Sequence, residues 1–161
     1  MSEKHKAYYE SPIGLIEIVG AEDGILSLSF VSAKSIRSAE MPQLLRDCVE
    51  QVDEYFKGQR REFSAGLVLQ GTAFQKKVWK VLTKIPFGET VSYKHIAASI
   101  GNRKATRAVG RANGQNKIGI IIPCHRVIGS NGTLTGYANG IWRKAWLLKH
   151  ERAVSSAPSQ S

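Results

Sequence analysis

At 161 residues, 42% hydrophobic and a formal charge of +10, the chain has the length for one ordinary core or two small ones and the make-up of a globular protein, not of a disordered tail. No apolar stretch approaches the roughly 20 residues that cross a bilayer, and residues 1–6 are polar with no apolar signal region behind them, so a cytoplasmic protein is expected. Two cysteines, Cys48 and Cys124, make no disulfide framework, and four scattered histidines give no zinc-site spacing, so no metal is expected.

Residues 7–10, 15–19 and 25–30 read as three short strands. Ser11-Pro12-Ile13-Gly14 and Ala21-Glu22-Asp23-Gly24 separate them with turn compositions, which gives an antiparallel meander. Residues 42–57 place Leu44, Leu45, Cys48, Val49, Val52, Tyr55 and Phe56 at helical spacing before Gly58, so an amphipathic helix ends there with Cys48 in its buried stripe. Residues 63–70 read as a further strand, and residues 1–70 then form a small α+β domain whose sheet has one face covered by the helix. The boundary falls near Gly71, because Thr72-Ala73-Phe74-Gln75 fits a capping box. The helix it opens turns Phe74, Val78, Trp79 and Leu82 inward and stops before Pro86.

Charge divides the chain at the same place. Residues 1–71 carry eight Lys/Arg against eleven Asp/Glu, whereas residues 72–161 carry fifteen against two. A concentration this one-sided repels itself when folded; nucleic acid is the commonest partner that relieves it, and a merely basic surface is the plainer reading.

Within the basic part, Ser92 caps a helix whose Ile96, Ala97 and Ile100 face inward, Gly101-Asn102 makes a tight turn, and residues 104–112 form a second helix with Ala105, Ala108 and Val109 inside. Two short helices about a Gly turn describe a helix-turn-helix, although helix pairs of this kind also pack without DNA. The second helix is slim: Ala105, Thr106, Ala108, Gly110, Ala112 and Gly114 are small, and Arg107 and Arg111 are the long side chains between them. Such a helix suits the narrow minor groove, where shape matters more than base-edge readout and an Arg can occupy a gap in the stack.

Residues 118–128, Ile-Gly-Ile-Ile-Ile-Pro-Cys-His-Arg-Val-Ile, read as a buried strand that stops at Pro123 and leaves Cys124 at its end. His125 and Arg126 set a proton acceptor and a fixed positive charge beside the sulfur, which favours the nucleophilic thiolate; the plainer reading is a small apolar residue closing a strand. Neighbours on an extended chain point opposite ways, so a water is expected between Cys124 and His125. Residues 127–128 and 133–134 flank a Gly129-Ser130-Asn131-Gly132 turn as a hairpin, and residues 136–140 make a flexible crossing. The last helix, residues 141–151, turns Trp142, Ala145, Trp146 and Leu148 inward and ends on Glu151, a mildly unfavourable place for a negative charge. Residues 153–161 are expected to be a disordered tail.

Pro123-Cys124-His125-Arg126-Val127, with the small-residue helix and Asn116 before it and Gly136-Tyr137 and residues 146–151 after it, resembles the O6-alkylguanine-DNA alkyltransferases, or methylated-DNA-protein-cysteine methyltransferases. The match is strong over residues 72–151. The resemblance implies an α+β fold: a ribonuclease H-like domain over 1–70, then a mainly helical DNA-binding and alkyltransferase domain with a helix-turn-helix over 71–152. It also implies minor-groove binding of double-stranded DNA by a monomer, extrusion of the damaged guanine, and irreversible transfer of its O6-alkyl group (and that of O4-alkylthymine) to Cys124, with no cofactor and no membrane partner.

The carry-over gives each residue a role. Cys124 is the nucleophile that a saturated carbon electrophile calls for; His125 takes its proton through a water, Glu151 polarises His125, and Asn116 ties the active-site turn to the helix pair. Tyr93, which on the residues alone reads as a core aromatic, donates toward guanine N3. Arg107 fills the stack that the flipped base leaves, and flipping costs a few kcal/mol that DNA contacts must offset. Ser92, Lys104, Ala105, Thr106, Ala108, Gly110 and Arg111 join it at the DNA, and Val127, Tyr137, Ala138 and Asn139 line the alkylguanine pocket. The chain departs from the family pattern at Ala138, where some relatives have Ser, at Gly119, where some have Pro, and at Asn139, which replaces Gly. A non-catalytic lesion sensor on the same scaffold would lack the cysteine, and a Cys-His-Glu hydrolase would turn over.

Overall fold

The computed structural model of the protein describes residues 3–35 and 41–157. They group into two compact units, one drawn from residues 1–70 and 117–121, the other from 71–116 and 122–161.

In the first unit, β1 (His5–Ser11), β2 (Gly14–Ala21) and β3 (Gly24–Val31) form the expected antiparallel meander, in the register Ala7↔Ile18 and Ile16↔Phe30. Period-two alternation buries Ile16 and Ile18 while Leu15, Glu17 and Val19 stay half-buried. Helix α1 (Gln43–Phe56) buries Leu45, Cys48, Val52 and Tyr55, and the Tyr9 hydroxyl donates to Asp53 Oδ1 at 2.8 Å to fix the helix on β1. Burial pushes the Cys48 thiol up to about 12, which makes it inert.

The strand expected over 63–70 does not form; it shrinks to a single parallel bridge between Ile25 and Leu67. The Gln51 side chain takes the Ser64 amide (3.0 Å), so a ladder donor is already satisfied, and Gly66 interrupts the alternation. The larger correction concerns residues 118–122. Only Ile118 bridges to Leu28; Ile120 then takes a positive φ of 68°, and the Ile121 amide bonds back to the Gly119 carbonyl at 2.7 Å. Pro123, at φ −81° and ψ 63°, makes an inverse γ-turn closed by Cys124 N–H to Ile122 O at 2.8 Å. Apolar content made the run look like a strand, but every isoleucine in it is buried by a folded-back path.

In the second unit, α2 (Ala73–Leu82) carries the expected capping box, with both Thr72 and Gln75 bonds present, and Trp79 is core, its indole N–H donating to Ala112 O at 2.8 Å. Ser92 closes the two-residue strand β4 (Val91–Ser92) and caps α3 (Tyr93–Ser99) by accepting from His95 N–H at 3.0 Å. Ile96, Ala97 and Ile100 are buried as expected, and Gly101 turns at φ +78°. A 3-10 turn over Arg103–Ala105 leads into α4 (Thr106–Gly114), whose inner residues are Val109, Ala112 and Asn113. Ala108, expected inside, is exposed.

The hairpin expected after the cysteine is absent: β5 (Val127–Ile128) pairs with β4 in parallel. The 129–133 turn still closes, with Gly129 N–H to Thr133 O at 2.9 Å. Helix α5 (Ile141–Ser156) runs past Glu151, so that carboxylate is interior to the helix, and Val154 is helical rather than tail. Residues 158–161 of the expected tail lie outside the described residues. Among the described residues, no helix is long and apolar enough to cross a membrane.

Candidate active site

Cys124, His125 and Arg126 form a 3-10 turn, not a strand end. Consecutive side chains there diverge by about 120° instead of 180°, which still sends the sulfur and the imidazole apart. Two asparagines, Asn113 in the last turn of α4 and Asn116 just beyond it, hold this turn: Asn116 Nδ2 donates to Ile122 O at 2.8 Å, and Asn113 Nδ2 to Cys124 O at 3.3 Å. Asn116 also bonds the Cys124 thiol.

Behind the cysteine lies a buried charge network. His125 Nε2 stands 2.7 Å from Glu151 Oε2. Arg126 grips the same carboxylate with two prongs, Nε to Oε1 at 2.8 Å and Nη2 to Oε2 at 3.0 Å, and its Nη1 donates to Ile85 O at 2.8 Å. The Gly88 amide adds a bond to Oε1 at 3.2 Å, and the guanidinium lies 5.6 Å from the Phe87 ring centre. His125 and Glu151 are wholly inaccessible. Hydrogen bonds from His125 and Arg126, with the Arg126 charge, outweigh burial and hold the Glu151 carboxyl far below the ordinary range. An ionised Glu151 only accepts, so His125 Nε2 must carry the hydrogen and Nδ1 the lone pair. Burial lowers the imidazole pKa despite Glu151, which keeps the ring neutral, and Nδ1 is buried without a protein partner. That nitrogen is the one position on the ring with a lone pair free to accept a proton.

Arg126 therefore does not serve the sulfur, as its place in the sequence implied; Glu151 consumes its charge. The cation whose charge favours the Cys124 thiolate is Lys144, buried on α5 with Nζ donating to Thr135 O at 2.8 Å and 6.0 Å from the Tyr93 ring centre. Burial brings its pKa down to about 8. For Cys124, burial prevails over Asn116 and Lys144 and pushes the thiol up, so the sulfur rests protonated. Sequence reasoning missed Lys144, Asn113 and the Ile85–Gly88 loop. One signal was present: Lys144, Leu148 and Glu151 recur at helical spacing, and it is they with Leu147, not Trp142 and Ala145, that α5 buries.

Tyr93 is half-buried and accepts from Thr135 Oγ1 at 3.1 Å, while Gly110 of α4 is close enough that a Cβ there would sit 3.7 Å from the phenol ring. Arg107, Ala108 and Arg111 make an exposed stripe along α4; Lys104 is exposed, and Ser92, Ala105, Thr106 and Gly110 are half-buried. Val127 and Tyr137 are buried, Ala138 is exposed, and Asn139 is half-buried with its carbonyl accepting from Arg143 Nη1 at 2.9 Å. Burial and the nearby Cys124 push the Tyr137 hydroxyl well above the usual phenol range.

Two family models match in succession: the ribonuclease-like domain of 6-O-methylguanine DNA methyltransferase over residues 4–69, and its DNA-binding domain over residues 73–153. The chain belongs to the 6-O-methylguanine DNA methyltransferase family. A methylated-DNA–protein-cysteine methyltransferase of Methanosarcina acetivorans is 47% identical over 90% of this chain and 96% of its own. The O6-methylguanine methyltransferase of Mycobacterium tuberculosis superposes with a TM-score of 0.87 at 43% identity, covering 98% of this chain and 97% of that one. A structure of the Mycobacterium tuberculosis protein in complex with DNA superposes at 0.85, with 45% identity over 93% and 94% of the two chains. As a methyltransferase of this family, the chain keeps a free thiol at Cys124 and, among the described residues, shows no cluster of three metal-binding side chains.

Proposed function

We propose that this chain repairs O6-alkylguanine in double-stranded DNA by moving the alkyl group, once and irreversibly, onto Cys124 Sγ. The observation that carries the reading is the buried series Cys124, His125, Glu151, in which the one nitrogen able to accept a proton has no protein partner. In the transfer, the Sγ–C bond forms as the C–O6 bond breaks, and the thiol proton passes to His125 Nδ1, through a water because the two side chains diverge. Glu151 stabilises the imidazolium that results, and Arg126 and Gly88 hold Glu151. The guanine anion leaves more readily when protonated; Tyr93, whose oxygen already accepts from Thr135, has its own hydrogen to give toward N3. Lys144 stabilises the sulfur as its negative charge grows. A thioether is a poor leaving group, so one molecule repairs one lesion.

Residues 71–152 carry this chemistry and the DNA contacts, and α3 with α4 acts as a helix-turn-helix whose slim second helix enters the minor groove. Arg107 takes the flipped base's place, Arg111, Lys104, Ser92, Ala105, Thr106, Ala108 and Gly110 meet the backbone, and Val127, Tyr137, Ala138 and Asn139 receive the guanine. Incubation with a duplex holding one O6-methylguanine tests the reading: one methyl mass on the Cys124 peptide and a plateau at one equivalent are expected. Continued turnover would favour a hydrolase, and binding without a mass change a lesion sensor.

A further inference from the structure

Helix α5 opens on two large apolar side chains that solvent reaches: Ile141 is 51% and Trp142 57% exposed. The other tryptophans are placed differently, Trp79 in the core and Trp146 half-buried and stacked on His150 with centroids 5.0 Å apart. Single exposed apolar residues are ordinary, but an adjacent pair that includes an indole marks a contact surface. The indole is also held in place. The Arg143 guanidinium lies 4.5 Å from its ring centre, and Arg143 Nη1 is bonded to Asn139 O, so a cation fixed by the neighbouring loop sits on the ring.

An aromatic face with a guanidinium beside it is the pair of groups that stacks on a base and neutralises the adjoining phosphate. Charge favours an acidic occupant: Arg143 stands beside the indole, the first turn of α5 has no acid, and the only acids in residues 72–161 are Glu89 and Glu151, the latter buried. The patch is also linked to the helix assigned to the minor groove: a Cβ at Gly110 of α4 would sit 3.7 Å from the Tyr93 ring, Tyr93 accepts from Thr135, and the Thr135 carbonyl accepts from Lys144, the residue after Arg143.

We propose that Ile141, Trp142 and Arg143 form a docking surface for the DNA strand that carries the lesion, with the Trp142 indole stacked on a nucleotide next to the flipped one. This rests on the repair reading above. The test titrates the full chain, with Trp142→Ala and Trp142→Phe, against an O6-methylguanine duplex, following tryptophan fluorescence for the parent and fluorescence anisotropy of labelled duplex for all three. Binding is expected to quench the parent's emission, and Trp142→Ala to raise Kd about tenfold, the loss of one base–aromatic stack, with Phe restoring most of it. The methyl-transfer rate at saturating duplex, and the reaction with free O6-benzylguanine, stay within about twofold of the parent, since the stack is made by DNA outside the pocket. An unchanged Kd overturns the proposal, as does equal slowing with the free base, which would make Trp142 a pocket wall. A parent dimer that Trp142→Ala dissolves would give the surface to a second copy instead. A parent that binds duplex with Trp142-dependent affinity but takes up no methyl group would sink the repair reading and leave the docking surface standing.

Discussion

Glu151→Gln strikes the group on which the buried network converges. Four donors, from His125, Arg126 (two) and Gly88, end on its two oxygens. The amide keeps the shape but removes the charge and turns one oxygen into a donor that must face another donor, leaving a buried Arg126 uncompensated. Breaking a buried pair from one side costs about 3–5 kcal/mol, or roughly 6–20 °C in Tm for a chain of this size. The sign of the pH dependence follows from the lowered Glu151 pKa. Its stabilisation is fully present above the ordinary 4.5 and is lost as pH falls toward the folded value, so parent and variant converge in acid. Urea unfolding at pH 7 and at about pH 3, well below the ordinary carboxyl value, measures this. Transfer should fall about a hundredfold or more, because nothing then holds His125 in the tautomer with its lone pair on Nδ1. Adding Arg126→Met should recover part of the stability and none of the rate, since it removes the lone charge without restoring the carboxylate. A variant within about 1 kcal/mol of the parent, or transferring at a comparable rate, would show that the network does not do what its geometry indicates.

Lys144→Met should slow transfer yet raise stability near neutrality. A lysine whose pKa drops from 10.5 to about 8 on folding carries a penalty that is full below pH 8 and relieved as pH rises toward 10.5, on the order of 3 kcal/mol; unfolding across that range should show a rising limb that the Met variant lacks. The transfer rate of the parent should be level from pH 6.5 upward to neutrality, because burial holds His125 below its ordinary 6.5, and an acid limb centred at or above that value would contradict a neutral, buried base. O6-Benzylguanine should label Cys124, whose base is at hand in His125, and spare Cys48, and Cys48→Ala should leave the one-equivalent plateau unchanged; loss of the plateau would give Cys48 a role that its core position denies. Arg107→Ala should slow repair in duplex far more than reaction with free O6-benzylguanine, and equal slowing would remove Arg107 from base flipping.

Local signals alone determined β1 to β3, α1, α2 and α3, because alternation, helical spacing and side-chain caps at Thr72 and Ser92 act over a few residues. They also singled out Cys124 and His125, while the role of Glu151 came from the family resemblance. Where polar groups go when buried was not legible, since that depends on partners distant along the chain. Arg126 looked like the thiol's cation until its carboxylate, 25 residues on, and the Ile85 carbonyl, 41 residues back, claimed it. The same exchange decided α5, which turns Lys144 and Glu151 inward because each finds a polar partner there, Thr135 O for Lys144 and His125 with Arg126 for Glu151, and leaves Trp142 to solvent. Residues 118–122 fail as a strand for a related reason. Apolar character says that a segment is buried; only the tertiary structure says along which path, and here the path folds back at Ile120 and Pro123 to present a cysteine on a turn.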